Sequence, residues 1–214
     1  MRNQERHQAR QQRRQEAVAE RVRQATEERG LLLVITGNGK GKSTAGFGCV
    51  LRAVGHQQKS VVAQFVKSDK WDDGARRVLE QCGVLFALMG TGFTWDTQNF
   101  DADKAAAEAL WEKVEGWLRD ESIDLVMLDE LTYMITYRYL DLERVMSALQ
   151  GRPAHQHVII TGRQCHRQLR ELAVGKGIAA SLRLVFEDVE PDAQPLLADR
   201  GFQRRGVDHF ATRG

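Results

Sequence analysis

A short apolar run, a glycine-rich loop and a helix-compatible stretch follow one another between residues 31 and 54. The run at residues 31–35 contains no polar residue, which is typical of a strand buried on both faces. Gly37, Gly39 and Gly41 follow it, and glycine adopts backbone conformations that other residues avoid. The segment therefore predicts a strand, a tight loop and a helix whose positive end faces the loop.

The chain beyond residue 54 repeats this alternation. We predict strands at 60–66, 84–88, 123–128, 157–160 and 182–186, and helices at 43–54, 101–120, 140–150 and 165–173. The apolar positions expected along helix 101–120 are Ala105, Leu110, Val114, Trp117 and Leu118. Continuous apolar strands that alternate with helices are typical of a mostly parallel sheet covered on both faces. We predict one doubly wound α/β domain that binds its ligands beyond the carboxyl ends of the strands.

The N-terminal segment differs from this domain. Residues 1–29 are rich in Arg, Gln and Glu, and after Met1 their few apolar residues are Ala or Val. Helix propensity is high but the apolar face is thin. Two interpretations stay open: a solvated, partly disordered extension, or a helix that folds over the active site or a partner subunit. We divide the chain into this extension, an α/β domain over 30–190 and a tail over 191–214.

Bulk composition excludes several classes of protein. The net charge is +2, too small to predict a nucleic-acid or membrane partner. Cys49, Cys82 and Cys165 are odd in number and far apart, which argues against a disulfide framework or a zinc site. No apolar run approaches the roughly 18 residues that cross a bilayer, and no hydrophobic signal region follows the first residues. These features favour a cytoplasmic protein.

The loop carries a recognisable phosphate-binding pattern. Its residues are Gly37-Asn38-Gly39-Lys40-Gly41-Lys42-Ser43-Thr44. Inward-facing backbone N–H groups and the helix dipole bind phosphate, Lys42 reaches phosphate oxygens, and the Ser43 hydroxyl is suited to Mg²⁺. Thr36 stands where the general pattern has its first glycine. We predict ATP binding here.

Two acidic residues, Asp129 and Glu130, follow the strand at 123–128. Asp129 is expected to hold the metal, directly or through water. Glu130 is either a general base that activates water, as in a hydrolase, or a ligand or anchor in an enzyme with another nucleophile. The alternative without a functional role is that both acids are solvated and only end the strand. The pair leaves the reaction type open.

Further blocks give the chain a family resemblance. Together with the phosphate loop they are Gln64-Phe65-Val66-Lys67, Thr91-Gly92-Phe93-Thr94-Trp95-Asp96-Thr97-Gln98, Asp129-Glu130-Leu131-Thr132-Tyr133-Met134 and residues 152–163. In this order they resemble the P-loop-type corrinoid adenosyltransferases. The resemblance implies a RecA-like P-loop fold, usually a homodimer, with Mg²⁺ (or Mn²⁺), ATP and a reduced corrinoid as ligands. Cobalt as Co(I) attacks the 5′ carbon of ATP and tripolyphosphate leaves. A reductase that supplies the electrons is a further implied partner.

The resemblance also suggests roles for individual side chains. Lys40 beside Lys42 suits a strongly anionic leaving group. Arg163 is assigned to nucleotide contacts because it follows a strand end. Phe93 and Trp95 are expected to pack beneath the corrin ring and displace its lower axial ligand, which eases reduction to Co(I). The alternative is that these two aromatic residues anchor their loop to the core.

Other features point away from additional chemistry. Cys165 and His166 are adjacent and are interpreted as ordinary packing on different sides of a helix, and His155 and His157 lack a third ligand nearby. After residue 173 the sequence departs from the family pattern, so no ligand role is assigned to the tail. Two other functions remain: a P-loop ATPase in which Glu130 positions water, and a non-catalytic module that holds ATP and corrinoid.

Overall fold

The computed structural model describes residues 2–24, 29–66, 73–90 and 99–174. The strands are β1 (Leu32–Ile35), β2 (Ser60–Gln64), β3 (Leu85–Leu88), β4 (Leu125–Asp129) and β5 (His157–Thr161). The helices are α1 (Arg2–Gln24), α2 (Lys42–Gly55), α3 (Gly74–Gln81), α4 (Phe100–Arg119), α5 (Leu131–Thr136), α6 (Leu142–Gln150) and α7 (Arg167–Val174). The strand expected at 182–186 and the tail lie outside the described residues.

The five strands form one parallel sheet in the order β1-β5-β4-β2-β3. Successive residues of a strand enter different cores: Val61 packs with α4, α5, α6 and α7, whereas Val62 packs with α2 and α3. Helices therefore cover both faces, as the period-2 geometry of a strand buried on both sides requires. The predicted doubly wound α/β fold is confirmed.

Helix α4 corrects one detail of the sequence analysis. Ala105 is exposed, whereas Trp111 and Ala107, which we did not assign to the apolar face, are completely buried. The buried stripe of the helix is Asp103, Ala107, Leu110, Trp111, Val114 and Leu118. Its three- and four-residue spacing matches the helical period, and Ala105 lies off that stripe. Trp117 is only half-buried.

Two helices were not predicted. Helix α3 buries one residue, Leu79, and its first turn is capped by the Asp73 carboxylate, which accepts from the N–H groups of Ala75 and Arg76. Helix α5 is only six residues long. Helix α5 is too short to show a clear apolar period in sequence, whereas α3 is as long as α7, which was predicted.

Helix α1 is described over Arg2–Gln24, and every side chain described in it is exposed. Among the described residues, no helix has both the length and the apolar character needed to span a bilayer.

Candidate functional site

The loop between β1 and α2 has the backbone geometry that its glycines predict. Gly37 and Gly41 have φ of 123° and 99°, values that favour glycine. Gly41 is the N-cap of α2 and offers no side-chain oxygen to the first turn, so an anion is suited to those N–H groups. Lys42 begins the helix and donates from Nζ to the carbonyl of Gly39, 2.5 Å away.

Helix α2 lies directly on the central strands because Gly46 has no side chain. A Cβ atom at this position would stand 2.5 Å from Cε of Met127 in β4 and 3.2 Å from Cγ2 of Thr161 in β5. This close approach sets the start of α2, with Lys42 and Ser43, near the carboxyl ends of β4 and β5.

Asp129, the last residue of β4, is 1% exposed. Its Oδ1 accepts from the Thr161 hydroxyl at 2.7 Å, and its Oδ2 accepts from Nε2 of Gln64 at 3.0 Å. Gln64 and Thr161 end the two strands that flank β4. The buried carboxylate is therefore held from both sides by neutral hydrogen-bond donors, whereas buried charges are usually paired with a cation or bound to a metal.

Glu130 adopts a left-handed conformation with φ of 61° as the N-cap of α5. Such a conformation is uncommon for residues other than glycine and occurs often at functional sites. The Glu130 N–H donates to the Thr161 hydroxyl at 3.0 Å, which fixes the turn that follows β4.

Gly162 closes the site beside Glu130. It has φ of 137°, and a Cβ there would stand 2.0 Å from Oγ1 of Thr132 and 3.1 Å from Oε2 of Glu130. Any larger residue would displace these side chains.

Arg163 follows Gly162 and is half-buried. Burial raises the pKa of the Tyr133 phenol, and the charge of Glu130 raises it further. Arg163 lowers this pKa. Tyr133, Glu130 and Arg163 are therefore electrostatic neighbours. Arg163 and Glu130 therefore both lie near Tyr133.

The phosphate loop, Glu130 and Arg163 thus follow strands β1, β4 and β5, and Asp129 ends β4, so all these predicted residues lie at the carboxyl ends of the strands. Phe93 and Trp95 lie outside the described residues. Sequence reasoning gave no role to Gln64, Thr161 or Gly162. Their positions at strand ends could have suggested a role. However, the predicted strand 60–66 extended past Gln64, where β2 ends.

The donor set suits Mg²⁺. Within the described ranges no group of three His, Cys, Asp or Glu side chains could form a protein cage for a metal. A serine hydroxyl and a buried carboxylate, completed by phosphate oxygens and water, are the type of donors that Mg²⁺ favours. Gln64 Oε1 is buried and has no hydrogen-bond partner among the described residues, so it offers a further polar oxygen beside Asp129. The residues fit the ion.

The histidines and cysteine set aside earlier have structural contacts. His157 Nδ1 accepts from the N–H of Leu31 at 3.0 Å, and His155 Nε2 lies 3.1 Å from the carbonyl oxygen of Glu121. Burial raises the pKa of the Cys165 thiol to about 11, so it is a poor nucleophile at neutral pH. Cys165 packs against the core as expected. However, Cys165 and His166 precede α7, which begins at Arg167, so the helical argument for their orientation was wrong.

A cavity of about 680 Å³ lies beside the segments that follow β4 and β5. It is lined by residues 135–136 and 138–142, by Lys104 and Glu108 of α4, and by Gln164 and His166 after β5. Tyr139, one of its walls, contacts Phe100 and Tyr137 with ring centroids 5.2 and 5.9 Å away. Phe100 and Tyr137 are 52% and 40% exposed, which leaves aromatic surface open beside the cavity.

Comparison with known proteins identifies the family of this chain. Residues 28–175 match the family described as ATP:corrinoid adenosyltransferase BtuR/CobO/CobP. The chain is 55% identical over 169 residues to the corrinoid adenosyltransferase CobA of Salmonella typhimurium. The aligned region covers 79% of this chain and 86% of the relative. It is 56% identical over 169 residues to the corrinoid adenosyltransferase of Escherichia coli K12, with the same coverage. The corrinoid adenosyltransferase of Pseudomonas aeruginosa is 45% identical over 172 residues, 79% of this chain and 84% of the relative. This chain belongs to the ATP:corrinoid adenosyltransferase family.

Proposed function

We propose that this protein transfers the 5′-deoxyadenosyl group of ATP to the Co(I) centre of a corrinoid and releases tripolyphosphate. The observation that carries the proposal is the convergence of the glycine loop, the start of α2 and the buried Asp129 at one sheet edge. Family membership favours this reaction over ATP hydrolysis.

The reaction forms a cobalt–carbon bond while the bond between C5′ and O5′ of ATP breaks. The electron pair of the broken bond leaves with tripolyphosphate, and cobalt passes formally from Co(I) to Co(III). The main task of the protein is to place the 5′ carbon in line with cobalt and to stabilise the departing anion. Because cobalt is the nucleophile, Glu130 acts as a ligand or anchor and not as a base that activates water.

The loop amides, Lys42 and Lys40 contact the phosphates in this proposal, and Arg163 adds a charged contact to the nucleotide. Ser43 and Asp129, with Glu130, would hold Mg²⁺ or Mn²⁺. When bound, the ion supplies positive charge that stabilises the leaving tripolyphosphate. The exposed aromatic surface of Phe100 and Tyr137 and the adjoining cavity suit a large ligand with apolar faces, and we place the corrinoid on that side.

Phe93 and Trp95 retain their proposed role beneath the corrin ring. We also propose that the enzyme is a cytoplasmic homodimer that receives electrons for cobalt from a reductase.

The test is an anaerobic assay with Mg·ATP and chemically reduced corrinoid, followed by visible spectroscopy. We expect the Co(I) spectrum to convert to that of a light-sensitive adenosylcorrinoid. Trp95→Ala should slow this conversion while leaving ATP binding intact. Tight binding of both ligands without spectral change would instead indicate a non-catalytic module that holds them.

A further inference from the structure

We infer that Gln64 and Thr161 are positioning residues that clamp Asp129 from both neighbouring strands and thereby set the affinity of the site for the metal–nucleotide complex. This inference rests on the proposed function for its ligands. It assigns roles to two side chains that neither the phosphate loop nor the acidic pair includes.

The sheet order places the clamp. Strand β4 lies between β5 and β2, and Gln64 is paired in register with Asp129. Each oxygen of the Asp129 carboxylate accepts one hydrogen bond, from Thr161 on one side and Gln64 on the other. With both oxygens held, the plane of the carboxylate is fixed before any ligand arrives, which lowers the cost of ordering it on binding.

The chemistry of the two donors is informative because both are neutral. A buried carboxylate that served only the fold would be stabilised most simply by Arg or Lys, which would cancel its charge. A hydroxyl and an amide stabilise Asp129 but leave its negative charge available to a cation. The clamp therefore favours an Asp129 that is oriented and still able to attract a divalent ion.

Thr161 connects the two acidic residues. Its hydroxyl donates to Asp129 Oδ1 and accepts from the Glu130 N–H, at 2.7 and 3.0 Å. Because the single hydroxyl proton is committed to Asp129, the oxygen is left to accept from Glu130. Its methyl group instead faces the position of Gly46 in α2. Removal of the hydroxyl alone would release the Asp129 side chain and the Glu130 turn together.

Gln64 has a fixed orientation for a related reason. Its Nε2 must face Asp129, because the reverse orientation would set the amide oxygen against a carboxylate oxygen. The side chain is 1% exposed, and Oε1 lacks a hydrogen-bond partner within the described part of the chain. A buried acceptor in this condition is costly, and a donor such as metal-bound water would satisfy it. Gln64 is therefore suited to hold Asp129 and to contact the hydrated ion.

The test uses Mn²⁺ as the probe and needs no corrinoid. The affinity of Mn²⁺ for the ATP-bound full-length protein is measured by electron paramagnetic resonance for wild type, Thr161→Val, Thr161→Ser and Gln64→Leu. We expect Thr161→Val and Gln64→Leu to weaken Mn²⁺ binding about 10- to 100-fold, the range for residues that orient a metal ligand. Thr161→Ser retains the hydroxyl and should bind Mn²⁺ with an affinity close to that of wild type. ATP binding without metal should stay unchanged in all variants, because the phosphate loop is intact.

Equal Mn²⁺ affinity in wild type and Thr161→Val would overturn the inference for Thr161, and wild-type affinity in Gln64→Leu would overturn it for Gln64. A loss in Thr161→Ser equal to that in Thr161→Val would also overturn it, because the hydroxyl that serine retains would then not be what sets the affinity. Circular dichroism and thermal unfolding identify a variant that fails to fold, and the other two then decide the question. A wild type that binds Mn²⁺ and ATP but never alkylates cobalt would refute the proposed function and leave the clamp standing.

Discussion

The two ends of the parallel sheet use polar side chains in different ways. At the amino end they bond mainly to the backbone: Gln156 Nε2 contacts the carbonyl oxygens of Trp117, Asp120 and Ile123 at 3.0, 3.3 and 3.2 Å. Asp124 Oδ2 accepts from the N–H of Lys59 at 2.7 Å. At the carboxyl end, by contrast, Gln64 and Thr161 bond to the side chain of Asp129.

This difference separates stability from function. Gln156 satisfies carbonyl groups where α4 ends and β4 approaches, groups that a helix cannot satisfy by itself. The carboxyl end instead holds a buried charge, a left-handed Glu130 and a glycine cradle. We expect substitutions at the amino end to change unfolding free energy, and those at the carboxyl end to change binding and turnover.

The largest effect is expected for Lys42→Ala. Loss of the ammonium group from the phosphate loop should lower turnover about 10²- to 10³-fold, the range for removing one donor that stabilises a developing anion. The measurement is the rate of adenosylcorrinoid formation. Lys59→Ala is the matched control, because Lys59 Nζ donates to Ser122 Oγ at the other end of the sheet, at 2.7 Å, and it should turn over like wild type. Similar losses in both variants would contradict the assignment of function to the carboxyl end of the sheet.

Gly162→Ala should lower turnover by up to about 10²-fold, because a misplacement of around 1 Å in an active site has that effect. The new Cβ would meet Thr132 Oγ1 and Glu130 Oε2 and would hold alanine at φ of 137°, so a stability loss of about 1–3 kcal/mol is also expected. Kinetics and urea unfolding measure the two effects. Gly116→Ala, in α4 with no atom within 4 Å of the new Cβ, should stabilise by about 0.5–1 kcal/mol and leave turnover unaltered.

Gln156→Leu tests the amino end. The shape is nearly conserved, but the carbonyl groups at the end of α4 lose their donor. We expect unfolding free energy to fall by about 2–3 kcal/mol, since each buried group left without a partner costs about 1–3 kcal/mol. Urea unfolding measures this loss. The kcat of the folded fraction and the KM for ATP should match wild type, and a selective fall in kcat would contradict the division between the two ends.

The smallest effect concerns pH. Burial lowers the pKa of His157. Asp124 raises this pKa, whereas Arg152 and His155 lower it further. The neutral ring accepts from the Leu31 N–H. Because the folded pKa lies below the unfolded value of about 6.5, this stability is complete above about pH 6.5 and is lost as pH falls through the folded pKa.

We expect the hydrogen bond to contribute about 1 kcal/mol, measured as the fall in unfolding free energy between neutral and acidic buffer. His157→Gln should reduce that fall. His7→Gln, on the exposed α1, should preserve it. An unchanged pH dependence in His157→Gln would assign the effect to other groups.

The sequence predicted those parts of the site whose residues are contiguous in the chain. Gly37 to Thr44 are contiguous, and Asp129 and Glu130 directly follow an apolar run, so loop and acids were visible without a structure. The clamp was not, because Gln64 and Asp129 are 65 residues apart, and Asp129 and Thr161 are 32 apart. Only the order of the strands brings them together. The left-handed conformation of Glu130 likewise arises from the turn between β4 and α5, which the sequence did not predict.

Phosphorus NMR of the quenched reaction is the most direct test of the central claim that this sheet edge transfers adenosine and not phosphate. With Mg·ATP and Co(I) corrinoid, we predict tripolyphosphate in amounts equal to the adenosylcorrinoid formed, and none when corrinoid is omitted. Orthophosphate and ADP released at the same rate with or without corrinoid would contradict it and establish a P-loop hydrolase.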